Sequence, residues 1–144
     1  MNNEQRIKTN KIAIDEDDVK LFFNNRVNKN LPYLINYTNY QDKHPELALE
    51  RDKYEKDRIM PFLNLQPESR ILDIGCGVGR WGNHILKILS NQGMYVGADY
   101  SGNILNLAKN HFRENKNFYF CESSFQDILL NLPGNIKQNN FDVI

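Results

Sequence analysis

One ten-residue stretch, Ile71 to Arg80, constrains the fold of this chain more than any other part of its sequence. The apolar run Arg70 to Ile74 is typical of a short buried strand, and Trp81 to Leu89 is typical of a helix. Between the two lies a turn in which alternate residues lack side chains and so leave room for a ligand. A strand, a glycine turn and a helix N-terminus together predict a pocket for a nucleotide-like ligand. The turn glycines are Gly75, Gly77 and Gly79.

Two charged residues argue against a dinucleotide as that ligand. The phosphate-binding pattern G-x-G-x-x-G needs its third glycine where this chain has Arg80. The carboxylate of Asp73, at the end of the strand, would repel a pyrophosphate by roughly 1 to 4 kcal/mol but would attract an ammonium or sulfonium group. The sequence therefore favours a cofactor with an adenosine end and a cationic amino-acid end, which is a description of S-adenosylmethionine.

A second carboxylate ends the next apolar segment, Met94 to Asp99. It follows the glycine loop by roughly 20 residues, the separation at which an acid accepts hydrogen bonds from a ribose diol. Simpler interpretations stay open for both acids, with Asp73 as a strand-end cap and Asp99 as a helix-start residue. The glycines also have a simpler interpretation, as plain turn residues.

The stretch Ile71 to Arg80 resembles the first motif of class I S-adenosylmethionine-dependent methyltransferases, in which an acid precedes a G-x-G-x-G loop. The resemblance covers Arg70 to Ile144 and implies S-adenosylmethionine as the cofactor. It also implies that Asp73 helps to hold the methionyl end, that Asp99 holds the ribose and that Tyr100 lies near the adenine. The cofactor-binding residues expected on this basis are Asp73, Gly75, Cys76, Gly77, Gly79, Asp99, Tyr100, Ser124 and Phe125.

The adenine contacts follow less directly from the sequence. Members of this family commonly present an acid to the adenine amino group from the loop after the third strand, and here that position falls on Ser124. A slip of one or two residues in the alignment would place Glu122 or Asp127 there instead. Ser124 and Phe125 are therefore expected near the adenine, and the two acids remain alternatives.

The rest of the chain continues the alternation of strands and helices. A helix is expected over Ser101 to Asn115, a third strand over Phe118 to Cys121 and the start of a fourth over Phe141 to Ile144. The predicted fold class is α/β, a Rossmann-like doubly wound parallel sheet that is truncated after the start of the fourth strand and carries an N-terminal helical extension. A fragment, or a sheet completed by a partner, would explain the early stop. Phe125 to Leu132 is expected as a short helix or loop, and Pro133-Gly134 as a turn.

Two parts of the chain are distinguished by composition. Residues 1–66 are expected to form a polar tail and a helical cap, and residues 67–144 the incomplete S-adenosylmethionine-binding domain. In the cap, a helix is predicted to have its N-terminus in the acidic run Asp15 to Asp18 and its apolar residues over Val19 to Asn28. A second helix is predicted over Pro45 to Leu63, with an ordered loop over Leu31 to Asp42 between the two. Two faces are expected on the second helix, one a salt-bridged solvent surface and the other apolar. The apolar face comprises Leu47, Tyr54, Ile59, Phe62 and Leu63.

Charge and composition limit the kinds of ligand, partner and cellular location that the chain is expected to have. The 144 residues carry 18 basic and 18 acidic side chains, so the formal net charge of zero gives no electrostatic case for nucleic acid. No segment has the length and apolarity of a membrane span or the apolar core of a signal peptide. The two cysteines, Cys76 and Cys121, are too few for a disulfide framework or a zinc site. A cytoplasmic protein without a bound metal is expected.

The predicted activity is transfer of a methyl group from S-adenosylmethionine to a small-molecule or glycan-type acceptor. A hydroxyl acceptor would need a base, for which the candidates are His44, His84 and His111, and no catalytic residue is assigned. Among these His44 is favoured, because the segment Tyr37 to Pro45 would be able to fold over the cofactor. Two alternatives from other classes are a module that binds the cofactor without turning it over and an NAD-type oxidoreductase.

Overall fold

A computed structural model describes residues 15–39, 42–137 and 140–144 of the chain. Its sheet has three strands, β1 (Arg70–Ile74), β2 (Met94–Asp99) and β3 (Phe118–Glu122). Two 3-10 turns, Leu34–Tyr37 and Met60–Leu63, also belong to the described part. The helices are α1 (Glu16–Arg26), α2 (Glu46–Ile59), α3 (Gly82–Ile85), α4 (Gly102–His111), α5 (Ile128–Asn131) and α6 (Gly134–Lys137). The predicted polar tail, residues 1–14, lies outside the described residues.

The strands pair in parallel in the order β1-β2-β3. In their register Ile74 lies opposite Ala98, and Asp99 lies opposite Glu122. The carboxyl ends of all three strands therefore meet at one edge of the sheet, where parallel α/β folds bind their ligands. The predicted α/β parallel architecture is confirmed.

The predicted fourth strand begins on the free side of β1. Val143 forms a parallel bridge with Ile71, and the Leu72 backbone N–H donates to the Val143 carbonyl at 3.0 Å. Successive strands thus advance in one direction from β1 to β3, while the next segment returns to the opposite side of β1. The glycine loop follows β1 and so leaves the sheet at this reversal of strand order, the position that opens a crevice for a ligand.

Both faces of the sheet are covered by apolar side chains. Adjacent strand residues such as Tyr95 and Val96 point to opposite faces, and both are completely buried. One face packs against α5 and α6, and the other packs against α3 and α4. The first cluster comprises Leu72, Met94, Val96, Ala98, Ile128, Leu132 and Ile136, and the second Met60, Ile71, Ile85, Tyr95, Phe112 and Phe118. Burial on both faces explains why the strands read as nearly continuous apolar runs.

Helix α1 begins at Glu16, inside the acidic run Asp15 to Asp18 that the sequence predicts as its N-terminus. The carboxylate of Asp15 accepts hydrogen bonds from the N–H groups of Asp17 and Asp18 and so caps the helix. The acidic residues that follow lie in the first turn, where the helix dipole favours negative charge. The predicted helix N-terminus at the acidic run is therefore confirmed.

The apolar face predicted for the second cap helix is wrong. Most of its proposed members are exposed, Phe62 to 87%, and the buried residues of this segment are Ala48, Lys56 and Met60. The charged side chain of Lys56 is buried in this segment, and its ion pair with Asp52 compensates the charge. The predicted salt-bridged surface is confirmed for two exposed pairs, Arg51–Glu55 and Lys53–Asp57. The α-helix ends at Ile59, and a 3-10 turn with Pro61 as its second residue continues the segment to Leu63.

Several other predicted element bounds were too generous. The helix predicted over Trp81 to Leu89 is α-helical for Gly82–Ile85 alone, and that predicted over Ser101 to Asn115 spans Gly102–His111. The segment expected as a loop from Leu31 contains the 3-10 turn Leu34–Tyr37, and Tyr40 and Gln41 in it lie outside the described residues. The expected turn at Pro133-Gly134 leads directly into α6. Within the described ranges, no helix is long and apolar enough to cross a membrane.

Candidate functional site

The glycine loop has a backbone that side-chain-bearing residues rarely adopt. Gly75 and Gly77 have φ angles of +72° and +56°, in the left-handed region. A Cβ atom on Gly75 would meet nothing within 4 Å, so that residue faces open space. A Cβ atom on Gly77 would lie 2.6 Å from Cγ2 of Thr38 in the N-terminal part of the chain. The loop therefore presents bare backbone both to a cavity and to the segment packed above it.

Gly79 has a different reason to be glycine. It also has a positive φ, +76°, but a Cβ atom there would lie 2.5 Å from the ring of Phe112 at the end of α4. The residue thus allows the loop to pack against the core. The structure does not place it in the lining of the cavity above the loop.

Asp99 joins the glycine loop to the end of β2. One carboxylate oxygen accepts the Gly77 backbone N–H at 2.9 Å, and the other accepts the Ser101 backbone N–H at 2.9 Å. Each carboxylate oxygen offers about two acceptor positions, so both retain capacity for a further donor. A diol next to this carboxylate would therefore find free acceptors in a fixed orientation.

A cavity of about 400 Å³ lies above the loop. A second cavity of about 260 Å³ adjoins it, and the two share Gly75 and Asp99 in their walls. The first is lined by Phe23, Thr38, Asn39, Gly75, Cys76, Gly77, Arg80, Trp81, Asp99 and Ile104. Tyr100 and Phe125 line the second. An elongated ligand that spans both would pass directly over Asp99.

The predicted adenine residues are only partly brought together. Phe125 is 73% exposed at the mouth of the second cavity, with Tyr100 on the same wall. The Ser124 hydroxyl donates to the Asp127 carboxylate at 2.9 Å and lies with it in a separate groove. Glu122, the other alternative, forms an ion pair with Lys20 of α1 at 2.7 Å. Ser124, Glu122 and Asp127 all border the groove next to Tyr100.

Asp73 lies behind the loop and outside the lining of the two cavities that share Asp99. Its carboxylate accepts the Tyr95 hydroxyl hydrogen bond at 2.6 Å and borders a smaller apolar cavity with Trp81 and Val143. Burial raises the pKa of the Asp73 carboxyl to about 6, while the hydrogen bond from Tyr95 acts in the opposite direction. Asp73 is therefore a partly buried acid whose pKa lies above the usual carboxylate range.

We expect Asp73→Asn to stabilise the folded chain above pH 6. Because the folded pKa of about 6 exceeds the usual 3.8, the native state binds more protons between these values, and stability falls as the pH rises through this window. The variant escapes that loss, which amounts to about 3 kcal/mol at most. Urea unfolding of both proteins at several pH values between 4 and 7.5 measures the difference.

Asp57→Asn is the matched control for this experiment. A hydrogen bond from Lys53 lowers the pKa of the exposed Asp57 carboxyl. The substitution Asp57→Asn should therefore change the pH dependence of the free energy of unfolding only slightly, and in the opposite direction to Asp73→Asn. If the difference between Asp73→Asn and the parent chain stays constant from pH 4 to 7.5, Asp73 does not titrate in this window.

The N-terminal segment supplies cavity residues that sequence reasoning missed. Phe23 of α1 and two residues after the first 3-10 turn, Thr38 and Asn39, form one wall of the main cavity. The expectation that this segment folds over the loop identified the right region but favoured the wrong residue. His44 is highly exposed and lies 3.5 Å from Glu46, outside that wall. No pattern of residue spacing marks Thr38 or Asn39, because tertiary packing alone places them over the glycines.

A buried guanidinium holds this segment in position. Arg26, 2% exposed, donates to the backbone carbonyls of Asn36 and Tyr37 and to the Asp42 carboxylate. The side chain of Asn36 is also buried and donates to the Pro45 carbonyl at 3.0 Å. The guanidinium thereby satisfies carbonyls at the end of the 3-10 turn that the turn itself leaves without donors. The segment above the cavity is thus tied to α1 by several buried hydrogen bonds.

Arg80, at the position where a dinucleotide loop would have glycine, connects the loop to α2. Its guanidinium donates to Glu55 and lies 3.6 Å from an Asp52 oxygen. Hydrogen bonds from Arg51 and Arg80 hold the pKa of Glu55 below its usual range. The acidic residues of α2 therefore compensate the cation that lines the cavity, which explains why part of the charged helix face points inward.

Comparison with known proteins assigns the chain to a family. The sequence profile of the methyltransferase-domain family matches residues 65–144, which contain the sheet, the glycine loop and Asp99. The chain belongs to this methyltransferase-domain family, and the resemblance described for the glycine motif is confirmed.

Individual relatives share limited identity with the chain. Demethylmenaquinone methyltransferase of Staphylococcus saprophyticus is 26% identical over 98 residues, which are 68% of this chain and 40% of that protein. The enzyme of the same name from Bacillus subtilis strain 168 is 26% identical over 106 residues, 74% of this chain and 42% of that protein. The chain thus spans about two fifths of the length of these relatives.

Solved structures agree with this fold. Phosphoethanolamine N-methyltransferase 1 of Haemonchus contortus superposes with a TM-score of 0.55 at 14% identity, over 75% of this chain and 21% of that one. A protein-L-isoaspartate O-methyltransferase superposes with a TM-score of 0.50 at 20% identity, over 72% of this chain and 28% of the other. At these identities the likeness concerns the fold alone.

Proposed function

We propose that this chain is the cofactor-binding part of an S-adenosylmethionine-dependent methyltransferase. The observation that carries the proposal is the Asp99 carboxylate, which is fixed by the Gly77 N–H and shared by two adjoining cavities above a bare glycine loop. The family match over residues 65–144 supports it. The proposed cofactor contacts that line the two cavities are Gly75, Cys76, Gly77, Asp99, Tyr100 and Phe125. The other three predicted residues, Asp73, Gly79 and Ser124, are proposed to act from outside this lining.

The residues present fit such a cofactor. The space beside Gly75 is open, so a ligand can approach the backbone there, and the main cavity of about 400 Å³ has a volume typical of small-molecule sites. Asp99 has acceptor capacity for a ribose diol, and Tyr100 offers an aromatic wall to a base. Asp73 is proposed to act on the methionyl end from behind the loop, through its negative charge when it is ionised.

When bound, S-adenosylmethionine supplies a methyl group on a sulfonium, which is already activated for in-line displacement. The contribution of the chain is then alignment and exclusion of water. Phe23 and Trp81 line the main cavity with apolar surface, and Asp99 would hold the ribose. We propose that residues 1–66 comprise a polar tail and a helical cap over the domain of residues 67–144. The positions of Phe23, Thr38 and Asn39 in the wall of the main cavity support this division.

The acceptor is proposed to be a small molecule. The relatives named demethylmenaquinone methyltransferase make a quinone-type ring the first acceptor to test, and a glycan precursor remains the second. Among the described residues that line the main cavity, none is a histidine or lysine, and burial raises the pKa of the Cys76 thiol. This favours either an acceptor that needs no base from this wall or the alternative function, a module that binds the cofactor without turnover.

Calorimetric titration with S-adenosylhomocysteine, with NAD as the comparison ligand, tests the proposal. We expect micromolar affinity for the first and no measurable heat for the second. Binding of NAD in preference would overturn the methyltransferase proposal. If S-adenosylhomocysteine binds, incubation with labelled S-adenosylmethionine and a demethylated quinone separates an active enzyme from a binding module.

A further inference from the structure

One buried hydrogen-bond donor in the cavity wall has no partner among the described residues. The side-chain amide nitrogen of Asn39 is completely shielded from solvent and donates to no acceptor in that part of the chain. Asn39 lines the main cavity beside Thr38 and opposite the glycine loop. Leaving a buried donor without an acceptor destabilises the folded state, so such a group in a cavity wall indicates a missing partner.

The position of Asn39 is fixed by the surrounding structure. Its backbone N–H donates to the Ile35 carbonyl at 3.0 Å, and the preceding carbonyls of Asn36 and Tyr37 are held by the buried guanidinium of Arg26. Thr38, which lies between Tyr37 and Asn39 in the sequence, packs its side chain against Gly77. The unpartnered amide is therefore part of an anchored wall and not the end of a loose loop.

The two cavities give the bound cofactor a direction. If the ribose lies at Asp99, the adenine occupies the cavity walled by Tyr100 and Phe125. The amino-acid end then extends into the main cavity, which is walled by Asn39 and Arg80. That end carries a carboxylate, which is an acceptor for the amide donor.

We propose that the Asn39 side-chain amide donates a hydrogen bond to the α-carboxylate of the amino-acid end of the cofactor. Asn39 then distinguishes S-adenosylmethionine and S-adenosylhomocysteine from adenosine ligands that lack this end. The inference rests on the proposed function, since it needs the ribose at Asp99.

Ligand truncation combined with substitution tests this role. S-adenosylhomocysteine has the amino-acid end, and 5′-methylthioadenosine keeps the adenine, ribose and sulfur but lacks it. We expect Asn39→Ala to weaken S-adenosylhomocysteine binding about 10-fold, the usual effect of one lost hydrogen bond to a charged group, and to leave 5′-methylthioadenosine affinity unchanged. Asn39→Asp, which has the same shape but no donor, is expected to weaken it about 100-fold through charge repulsion.

Exposed Asn106 on α4 provides the matched controls Asn106→Ala and Asn106→Asp, which should bind both ligands like the parent chain. Circular dichroism and thermal melting check that each variant is folded. Equal S-adenosylhomocysteine affinity in the parent and in folded Asn39→Ala would overturn the inference. Tighter S-adenosylhomocysteine binding by Asn39→Asp would also overturn the inference, because it would mean that the α-ammonium group of the ligand, and not its α-carboxylate, faces residue 39. Failure of the parent chain to bind S-adenosylhomocysteine would instead count against the proposed function.

Discussion

Replacing Asp99 by alanine is expected to weaken S-adenosylhomocysteine binding roughly 10- to 100-fold, or about 1 to 3 kcal/mol. The carboxylate has two functions in the structure. It accepts the backbone N–H groups of Gly77 and Ser101, and its remaining acceptor positions face the two cavities. The variant therefore loses both the proposed ribose acceptor and the group that holds the loop in place. Calorimetry on the parent and the variant gives the affinity difference directly.

Two comparisons make this prediction specific. Asp57→Ala removes an exposed carboxylate whose ion pair is with Lys53, far from the cavities, and should leave the affinity unchanged. Asp99→Asn keeps the shape but replaces one acceptor oxygen by a donor, so its affinity should fall between those of the parent and the alanine variant. Unchanged affinity in a folded Asp99→Ala protein would remove Asp99 from the cofactor site.

Gly77→Val is expected to abolish measurable S-adenosylhomocysteine binding and to lower the free energy of unfolding by at least about 2 kcal/mol. A β-branched residue is strained at a φ of +56°, and its Cβ atom would lie 2.6 Å from Thr38 Cγ2. Either the loop or the wall that carries Thr38 must move, and both border the cavity. Thermal melting and calorimetry measure the two effects separately.

Two other glycines separate strain from obstruction. Gly134 is exposed with nothing within 4 Å of a Cβ atom, so Gly134→Val should change neither stability nor binding appreciably. Gly75→Ala places a methyl group in open cavity space at a φ of +72°. We expect it to reduce the free energy of S-adenosylhomocysteine binding by more than it reduces the free energy of unfolding, because backbone strain affects the fold whereas the methyl group obstructs the ligand. Normal binding by folded Gly77→Val would mean that the glycine loop is a turn and not a cofactor cradle.

The parts of the fold that the sequence predicted are those that depend on neighbouring residues. Strand β1 coincides with the predicted run Arg70 to Ile74, and β2 with Met94 to Asp99, because a strand buried on both faces is a continuous apolar run. Helix bounds were predicted less well. The ends of α3 and α4 depend on capping and on packing against the sheet, which a periodic pattern does not encode.

For α2, the periodic pattern gave the wrong prediction of which face of the helix is buried. Its apolar residues suggested a buried stripe, but the structure buries the Lys56–Asp52 pair, and Glu55 meets Arg80 from the glycine loop. The sequence contains both charges of each pair, yet their separation along the chain gives no sign that Arg80 and Glu55 meet. An ion pair between residues far apart in the sequence is identified only once the tertiary structure is known.

The sequence by itself determined the strand–loop–helix unit, the alternating glycines and the two acids, because each depends on residues adjacent along the chain. Tertiary structure alone decided that Asp99 binds the loop backbone, whereas Asp73 turns away to Tyr95. It also decided that Thr38 and Asn39 complete the cavity wall. The physical reason is that the buried hydrogen bonds of Arg26, and not any local propensity, hold that segment over the glycines.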